Sequence, residues 1–259
     1  MSDKNILKVT FLGTGTSQGV PVISCTCDTC MSDDSRDKRL RSSVLVETEN
    51  VTMVIDTGPD FRQQMLRENV KKLDAVLLTH EHKDHIAGLD DIRAFNFMQK
   101  KPMDVYARAS VQRVVHKEFN YAFSKKKYPG IPEINQFVIT NSPFSIGTLE
   151  VIPVEAKHYF LKIFGYRIGG FAYLTDASDI NTKEKKKLTG LDVLVVNALR
   201  SKIHYSHYNL EQALNLIREL KPKKAYLTHI SHMMGKQKET SKILPENVEF
   251  AYDGLKINI

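Results

Sequence analysis

Several short apolar runs in this 259-residue chain stop at a histidine or an aspartate. Residues 51–55 run into Asp56, 75–78 into Thr79-His80, 172–174 into Thr175-Asp176, and 225–227 into Thr228-His229. Apolar runs of three to five residues bounded by polar ones read as buried strands. Strand ends lie along the rim of a sheet, where a rigid frame can hold several side chains against one another. The pattern therefore predicts a strand-rich core with its chemistry along one rim.

Further strands are expected at 6–12, 43–47, 105–107, 137–139, 149–154, 163–168 and 193–196, with two short ones in the C-terminal tail. Helices are expected from Asp60 through Asn69, after Gly88 with Leu89, Ile92, Phe95 and Phe97 on its apolar side, over 110–119, after Asn181, and over 236–243. Residues 209–220 carry Leu210, Ala213, Leu214 and Ile217 at helical spacing. Strand–helix alternation in both halves, with no internal repeat or low-complexity linker, predicts one α/β domain over 1–259: two sheets face to face with helices outside. Two stretches stand out. The polar loop 13–41 is too long to lie unsupported in a compact domain. Residues 121–135, with Lys125-Lys126-Lys127 and Pro129-Gly130-Ile131-Pro132, read as a loop or lid.

Composition excludes several classes. Apolar residues at 42% and charged residues at 26% are ordinary globular usage, not that of a disordered or collagenous chain. No run approaches the roughly 20 apolar residues of a membrane span. The start lacks a basic segment followed by an apolar one, so a soluble cytoplasmic protein without membrane association is expected. The excess of 37 Lys+Arg over 30 Asp+Glu favours anionic partners without naming one. The three cysteines all fall between positions 25 and 30, a poor disulfide framework and a plausible metal site.

The most specific motif is His80-Glu81-His82-Lys83-Asp84-His85. Imidazole and carboxylate suit zinc, manganese and iron. In a tight turn His80 and His82 face one way while Asp84 and His85 face another, which serves two adjacent ions better than one. With this motif the chain resembles the metallo-β-lactamase fold superfamily, and the resemblance implies a four-layer αββα sandwich. It also implies one metal ion held by His80, His82 and His158, and a second held by Asp84, His85 and His229. Asp176 would bridge the two, and Asp56 would orient the metal loop from behind. Each of the later residues is weak alone; their order along the chain, each near a strand end, is what raises them.

Cys25, Cys27 and Cys30 are three thiols that suit a closed tetrahedral zinc site. Within the superfamily the chain resembles the PhnP-type cyclic phosphodiesterases, which pair such a cluster with a histidine three residues after the last active-site histidine. Here that residue is His232, and the structural zinc would pin the 13–41 loop. The same resemblance places a histidine of the segment 200–207 opposite a scissile phosphate, with His207 favoured over His204, and Asp84 is the second expected catalytic group. The implied reaction is hydrolysis of a small or cyclic phosphodiester, such as 5-phosphoribosyl 1,2-cyclic phosphate, by a hydroxide bridging two zinc or manganese ions. The alternative from the same superfamily is a tRNA 3′-end endonuclease. It is less favoured because the long Gly/Pro-rich arm of those enzymes has no counterpart here, so nucleic acid is the second choice of partner. A homodimer accords with the superfamily's habits. The segment Gly13-Thr14-Gly15 lacks the spacing of a dinucleotide or P-loop motif.

Overall fold

The computed structural model describes residues 6–124 and 128–259. Its strands, in chain order, are β1 (Lys8–Gly13), β2 (Ser43–Glu47), β3 (Thr52–Ile55), β4 (Ala75–Leu77), β5 (Met103–Ala107), β6 (Ile134–Val138), β7 (Phe144–Ile146), β8 (Leu149–His158), β9 (Leu161–Ile168), β10 (Phe171–Leu174), β11 (Val193–Asn197), β12 (Lys224–Thr228), β13 (Val248–Phe250) and β14 (Lys256–Asn258). They form two seven-stranded sheets, ordered β14-β1-β2-β3-β4-β5-β6 and β13-β12-β11-β10-β9-β8-β7. In the first, β3 to β6 run parallel; in the second, β10 to β13 do.

The sheets pack face to face. Val9, Phe11, Val44, Met53, Ile55 and Leu77 of the first meet Phe164, Tyr166, Phe171, Tyr173 and Val195 of the second. Burying each of these side chains contributes about 1.5–3 kcal/mol. Alternation along β11 shows why its four valines and leucines are all apolar: Val193 and Val195 face the other sheet, while Leu194 and Val196 lie under the outer helices. A parallel strand covered on both faces requires such a sequence. The outer layer on the first sheet is α1 (Phe61–Arg67), α2 (Lys83–Ile86), α3 (Arg93–Gln99) and α4 (Ala109–Glu118). The second sheet is covered by α5 (Thr182–Lys186) and α6 (Leu210–Leu220), and α7 (Gln237–Thr240) follows. A reciprocal cap opens α6: Asn209 accepts from the Gln212 N–H and Gln212 accepts from the Asn209 N–H, both at 2.9 Å.

Several expectations need correction. Strand β7 had no counterpart in the sequence reading. The helix after Gly88 begins as a 3-10 turn over Leu89–Ile92 before α3, and Phe97 is 83% exposed instead of buried. Asp60 precedes α1 but makes no side-chain cap; its carboxylate accepts instead from the Arg41 backbone N–H (2.8 Å) and guanidinium (3.0 Å). Of the 121–135 stretch, Tyr121–Phe123 belong to a 3-10 turn and Ile134 opens β6, whereas Lys125, Lys126 and Lys127 lie outside the described residues.

Candidate metal centre and active site

Register brings the ligands level. Leu174 pairs with Val196, and Val196 with Leu227. Two residues on, Asp176 and His229 therefore stand at the same height, with the small Ala198 between them. On the first sheet Ile55 pairs with Leu77, which sets Asp56 beside the exit of β4. These are the carboxyl ends of parallel strands, where open α/β sheets place their sites. Asp56, Asp176 and His229 all take left-handed backbone, with φ of 65°, 59° and 54°. Such positions are uncommon for non-glycine residues and most tolerable for Asp, Asn and His. The turn at each strand exit swings the side chain inward.

Two sets of donors result. Ligand atoms of His80, His82 and His158 lie within 4.8 Å of one another, as do those of Asp84, His85, Asp176 and His229. Asp176 joins a third such set with His158 and His207, so it stands between the first two. Inter-sheet bonds lock the halves together directly beneath: the Tyr166 hydroxyl donates to the Leu78 carbonyl (2.7 Å) and the Phe164 N–H to the Thr79 carbonyl (3.1 Å).

Hydrogen bonds behind the rings select which nitrogen faces the cluster. Thr79 donates from its N–H and its hydroxyl to Asp56, each at 2.8 Å. Its hydroxyl oxygen, having given its proton, accepts from His80 Nδ1 at 3.0 Å. His85 Nδ1 donates to Asp56 at 2.7 Å, and His158 Nδ1 donates to the Ser206 carbonyl at 2.8 Å. In all three the Nε2 lone pair is left facing inward, the tautomer control that metal-ligating histidines require. His229 presents Nδ1 to Asp176 at 3.2 Å while Nε2 lies 3.3 Å from the Thr16 hydroxyl.

The buried His85 Nε2 has no hydrogen-bond partner, yet it lies 3.1 Å from an Asp84 oxygen and 3.3 Å from an Asp176 oxygen. With Nδ1 already donating, three electron-rich atoms face one another. A cation among them satisfies all three, so the donor set fits a divalent metal ion. With no metal ion present, burial works against the charged form of His85, but the carboxylates of Asp176, Asp84 and Asp56 outweigh it and push its pKa well above the usual imidazole range, so that a proton on Nε2 takes the place a metal ion would fill. Burial holds His229 down to about 4 and lowers His80 and His158. Those rings are neutral at pH 7, as ligands must be.

His207, expected as the catalytic histidine, lies against this cluster with Nε2 3.2 Å from Asp176 Oδ1, its ring stacked on His229 at 5.0 Å. Its Nδ1 is 2.9 Å from the Ser206 hydroxyl. His204 touches His207 but not Asp176, one ring further out.

The cysteines converge as well. Sγ of Cys25, Cys27 and Cys30 lies 3.2, 3.3 and 3.5 Å from His232 Nδ1, and all three thiols are free of disulfides. Three sulfurs and one imidazole nitrogen around a common centre fit a tetrahedral zinc ion. The loop carrying them is also tied down by a network the sequence reading missed. The buried Arg39 guanidinium donates to the Thr14 hydroxyl (2.8 Å), the Ala251 carbonyl (2.7 Å) and Gln237 Oε1 (2.7 Å). Asp37 accepts from the Ser32 hydroxyl and the Gln237 N–H. Thr79 was missed too, as was Asn197, which clamps the Ala177 backbone from both sides next to Asp176. A signal for Thr79 existed: a threonine directly precedes His80, Asp176 and His229.

A sandwich of two mixed sheets with paired histidine and aspartate sets at one rim defines a metal-dependent hydrolase fold. The sequence profile of the beta-lactamase superfamily domain matches residues 52–230, and the chain belongs to that superfamily. The crystal structure of a diphosphatase from the PhnP family superposes with a TM-score of 0.92 at 39% identity, covering 98% of this chain and 97% of that one. The octanoyltransferase of Porphyromonas gingivalis is 40% identical over 253 residues, 96% of this chain but 51% of that protein, so the chain spans about half the relative's length. Ribonuclease Z of Listeria innocua is 26% identical over 316 residues, covering 95% of this chain and 97% of that protein. Among the described residues no helix is long and apolar enough to cross a membrane.

Proposed function

We propose that this chain is a binuclear metal-dependent phosphodiesterase acting on a small or cyclic phosphodiester, of which 5-phosphoribosyl 1,2-cyclic phosphate is an example. The observation that carries the reading is the pair of donor sets meeting at Asp176 with His207 beside them. His80, His82 and His158 would hold one zinc or manganese ion, Asp84, His85 and His229 a second, with Asp176 shared. Divalent ions so held supply Lewis acidity toward phosphoryl oxygens and an activated water nucleophile. Cys25, Cys27, Cys30 and His232 would hold a structural zinc.

The chain's own residues do the rest. Asp56 and Thr79 fix the rings of His80 and His85 so that little reorganisation is needed when charge develops. In the metal-free cluster burial raises the Asp84 carboxyl, but the facing His85 charge outweighs this and keeps it ionised; a metal ion in place of that charge would hold it ionised too, so it can orient the attacking water. His207 is half-buried at the mouth, with Ser206 fixing its Nδ1. It delivers a proton from Nε2 to the leaving oxygen, the general-acid role a histidine positioned at a scissile bond can take.

The likeness to a PhnP-family diphosphatase over nearly the whole of both chains supports hydrolysis at phosphorus in a small phosphate compound. The octanoyltransferase likeness carries no acyl chemistry to this chain, because it covers only about half of that protein. The test is turnover of bis(4-nitrophenyl) phosphate by protein loaded with manganese or zinc. Hydrolysis that stops with a chelator is expected; absence of turnover with every divalent metal overturns the reading. Cleavage of precursor tRNA in preference to small diesters, with binding that falls steeply with salt, would replace it with the nuclease.

A further inference from the structure

The hairpin that delivers His158 breaks a local rule. His158 closes β8 and pairs with Leu161 of β9, leaving a two-residue turn of Tyr159 and Phe160. Tyr159 has φ of 56°. Two-residue hairpin turns with positive φ at the first position call for glycine, asparagine or aspartate. A bulky aromatic there is strained, by about 1–3 kcal/mol. Nothing in the core recovers that cost: Tyr159 is 47% exposed and Phe160 is 84% exposed.

A second element brings aromatic rings to the same place. Residues 200–208 form a loop whose base is closed by the Leu199 N–H donating to the Tyr208 carbonyl. Its tip carries His204 and Tyr205, and Tyr205 is 71% exposed. The two elements meet. Tyr159 contacts Phe160 at 3.8 Å between ring centres and Tyr205 at 5.1 Å; Tyr205 stacks on His204 at 4.5 Å; and His204 is 5.2 Å from His207. A continuous run of rings thus leads from the metal-binding cluster out to solvent. Beside it the Arg200 guanidinium donates to the Ile203 carbonyl, in a loop that also carries Lys202.

We propose that Tyr159, Phe160 and Tyr205 form a stacking platform for a nucleobase, so that among small phosphodiesters those carrying a base bind more tightly than a bare sugar phosphate. The proposal deepens the phosphodiesterase reading of the same site and rests on it for the position of the phosphate. A planar ring fits because every base presents a π-face to aromatic side chains and the cost of fixing it is small. The cationic surroundings suit the phosphate attached to it. The base belongs either to a free nucleotide or to the end of an RNA strand, and both present the same ring.

The test is binding of AMP and of ribose 5-phosphate to the zinc-loaded protein by titration calorimetry. One stacked base is expected to favour AMP by roughly 5- to 100-fold. Phe160→Ala combined with Tyr205→Ala is expected to reduce that preference to within about twofold, while Phe160→Tyr preserves it and Phe160→Leu does not. Phe97→Ala, at an equally exposed ring on α3, serves as the control and leaves the preference intact. Equal binding of the two ligands by the unaltered protein, or a preference that survives the double substitution, overturns the platform. A trinucleotide binding about tenfold more tightly than AMP supports the platform with an RNA end as the source of the base; equal affinity supports it with a free nucleotide. An AMP preference in a protein that hydrolyses no phosphodiester refutes the reaction but not the platform. Hydrolysis with no AMP preference refutes only the platform.

Discussion

The two clusters of side chains that could hold metal ions are built on opposite plans. The histidine–aspartate cluster is assembled from exits of both sheets, and a second layer of Asp56, Thr79 and Ser206 holds its rings. The cysteine cluster takes three of its four donors from six consecutive residues of one loop, and Cys27 is exposed. In the first, the fold positions the donors before any ion arrives. In the second, the three thiols come from one loop that Arg39 and Asp37 tie to the rest of the chain. They are joined through residues 229–232. The Thr16 N–H donates to the Ile230 carbonyl, the Ile230 N–H donates to the Thr14 carbonyl, and Thr16 also faces His229. The cysteine loop thus ends its restraint on the active-site wall.

The largest expected effect comes from removing the group the two donor sets share. Asp176→Ala should lower phosphodiester turnover by about 10⁴-fold or more, since residues acting as a unit fail together. Elemental analysis should show the histidine–aspartate cluster losing metal while one zinc equivalent stays on the cysteines. Loss of all metal would mean the clusters are not separable, and the contrast between them would collapse.

Next is His207→Ala. If it moves a proton and does not anchor an ion, turnover falls about 10²- to 10⁴-fold with metal content unchanged. The loss should be smaller for a diester with a good leaving group, such as 4-nitrophenolate, than for one with an alkoxide. Loss of metal instead would assign His207 to the donor set it forms with His158 and Asp176.

Cys25→Ser tests the other plan. One zinc equivalent should be lost, the melting temperature should fall by about 5–10 °C, and activity should drop only about tenfold through the loosened Thr16 contact. Unchanged melting would show that Arg39 and Asp37 hold the loop unaided.

The same contrast governs what could be read from sequence. Strand-end histidines and aspartates were legible because a buried strand announces itself by composition and stops at its rim; the apolar run before Asp176 and that before His229 are examples, while their expected roles as ligands came from the family resemblance. Two facing sheets with helices outside followed from the same alternation, and the αββα order from the family resemblance. Most of what failed depended on contacts distant in sequence. Phe97, by contrast, points outward because it lies two residues beyond the buried Phe95 in α3, on the opposite side of the helix. Asp60 has the type and position of a helix cap but spends its carboxylate on Arg41, which the long loop brings near. Arg39 and Asp37 look like ordinary loop charges until Gln237 and Ala251 arrive from the far end of the chain. Strand β7 is three residues long, with only Ile146 buried, too little pattern to detect.

The finest distinction lies inside the cysteine cluster. In metal-free protein the Cys30 backbone N–H donates to the Cys27 sulfur and lowers its pKa to about 6, while burial raises Cys30 to about 11. Cys27 is therefore thiolate above about pH 6, and Cys30 stays protonated until strongly alkaline conditions. Thiolates are the reactive species, so iodoacetamide should label Cys27 first. Its rate should rise only about twofold between pH 6 and pH 8, against roughly seventyfold for an ordinary thiol of pKa about 8.5. Peptide mass mapping after chelation measures both. Zinc should suppress labelling at each position, since all three sulfurs then lie around one ion. A seventyfold rise at Cys27 would show that the loop does not hold its donors in place without the metal, and that the ion, unlike at the histidine–aspartate cluster, does the positioning.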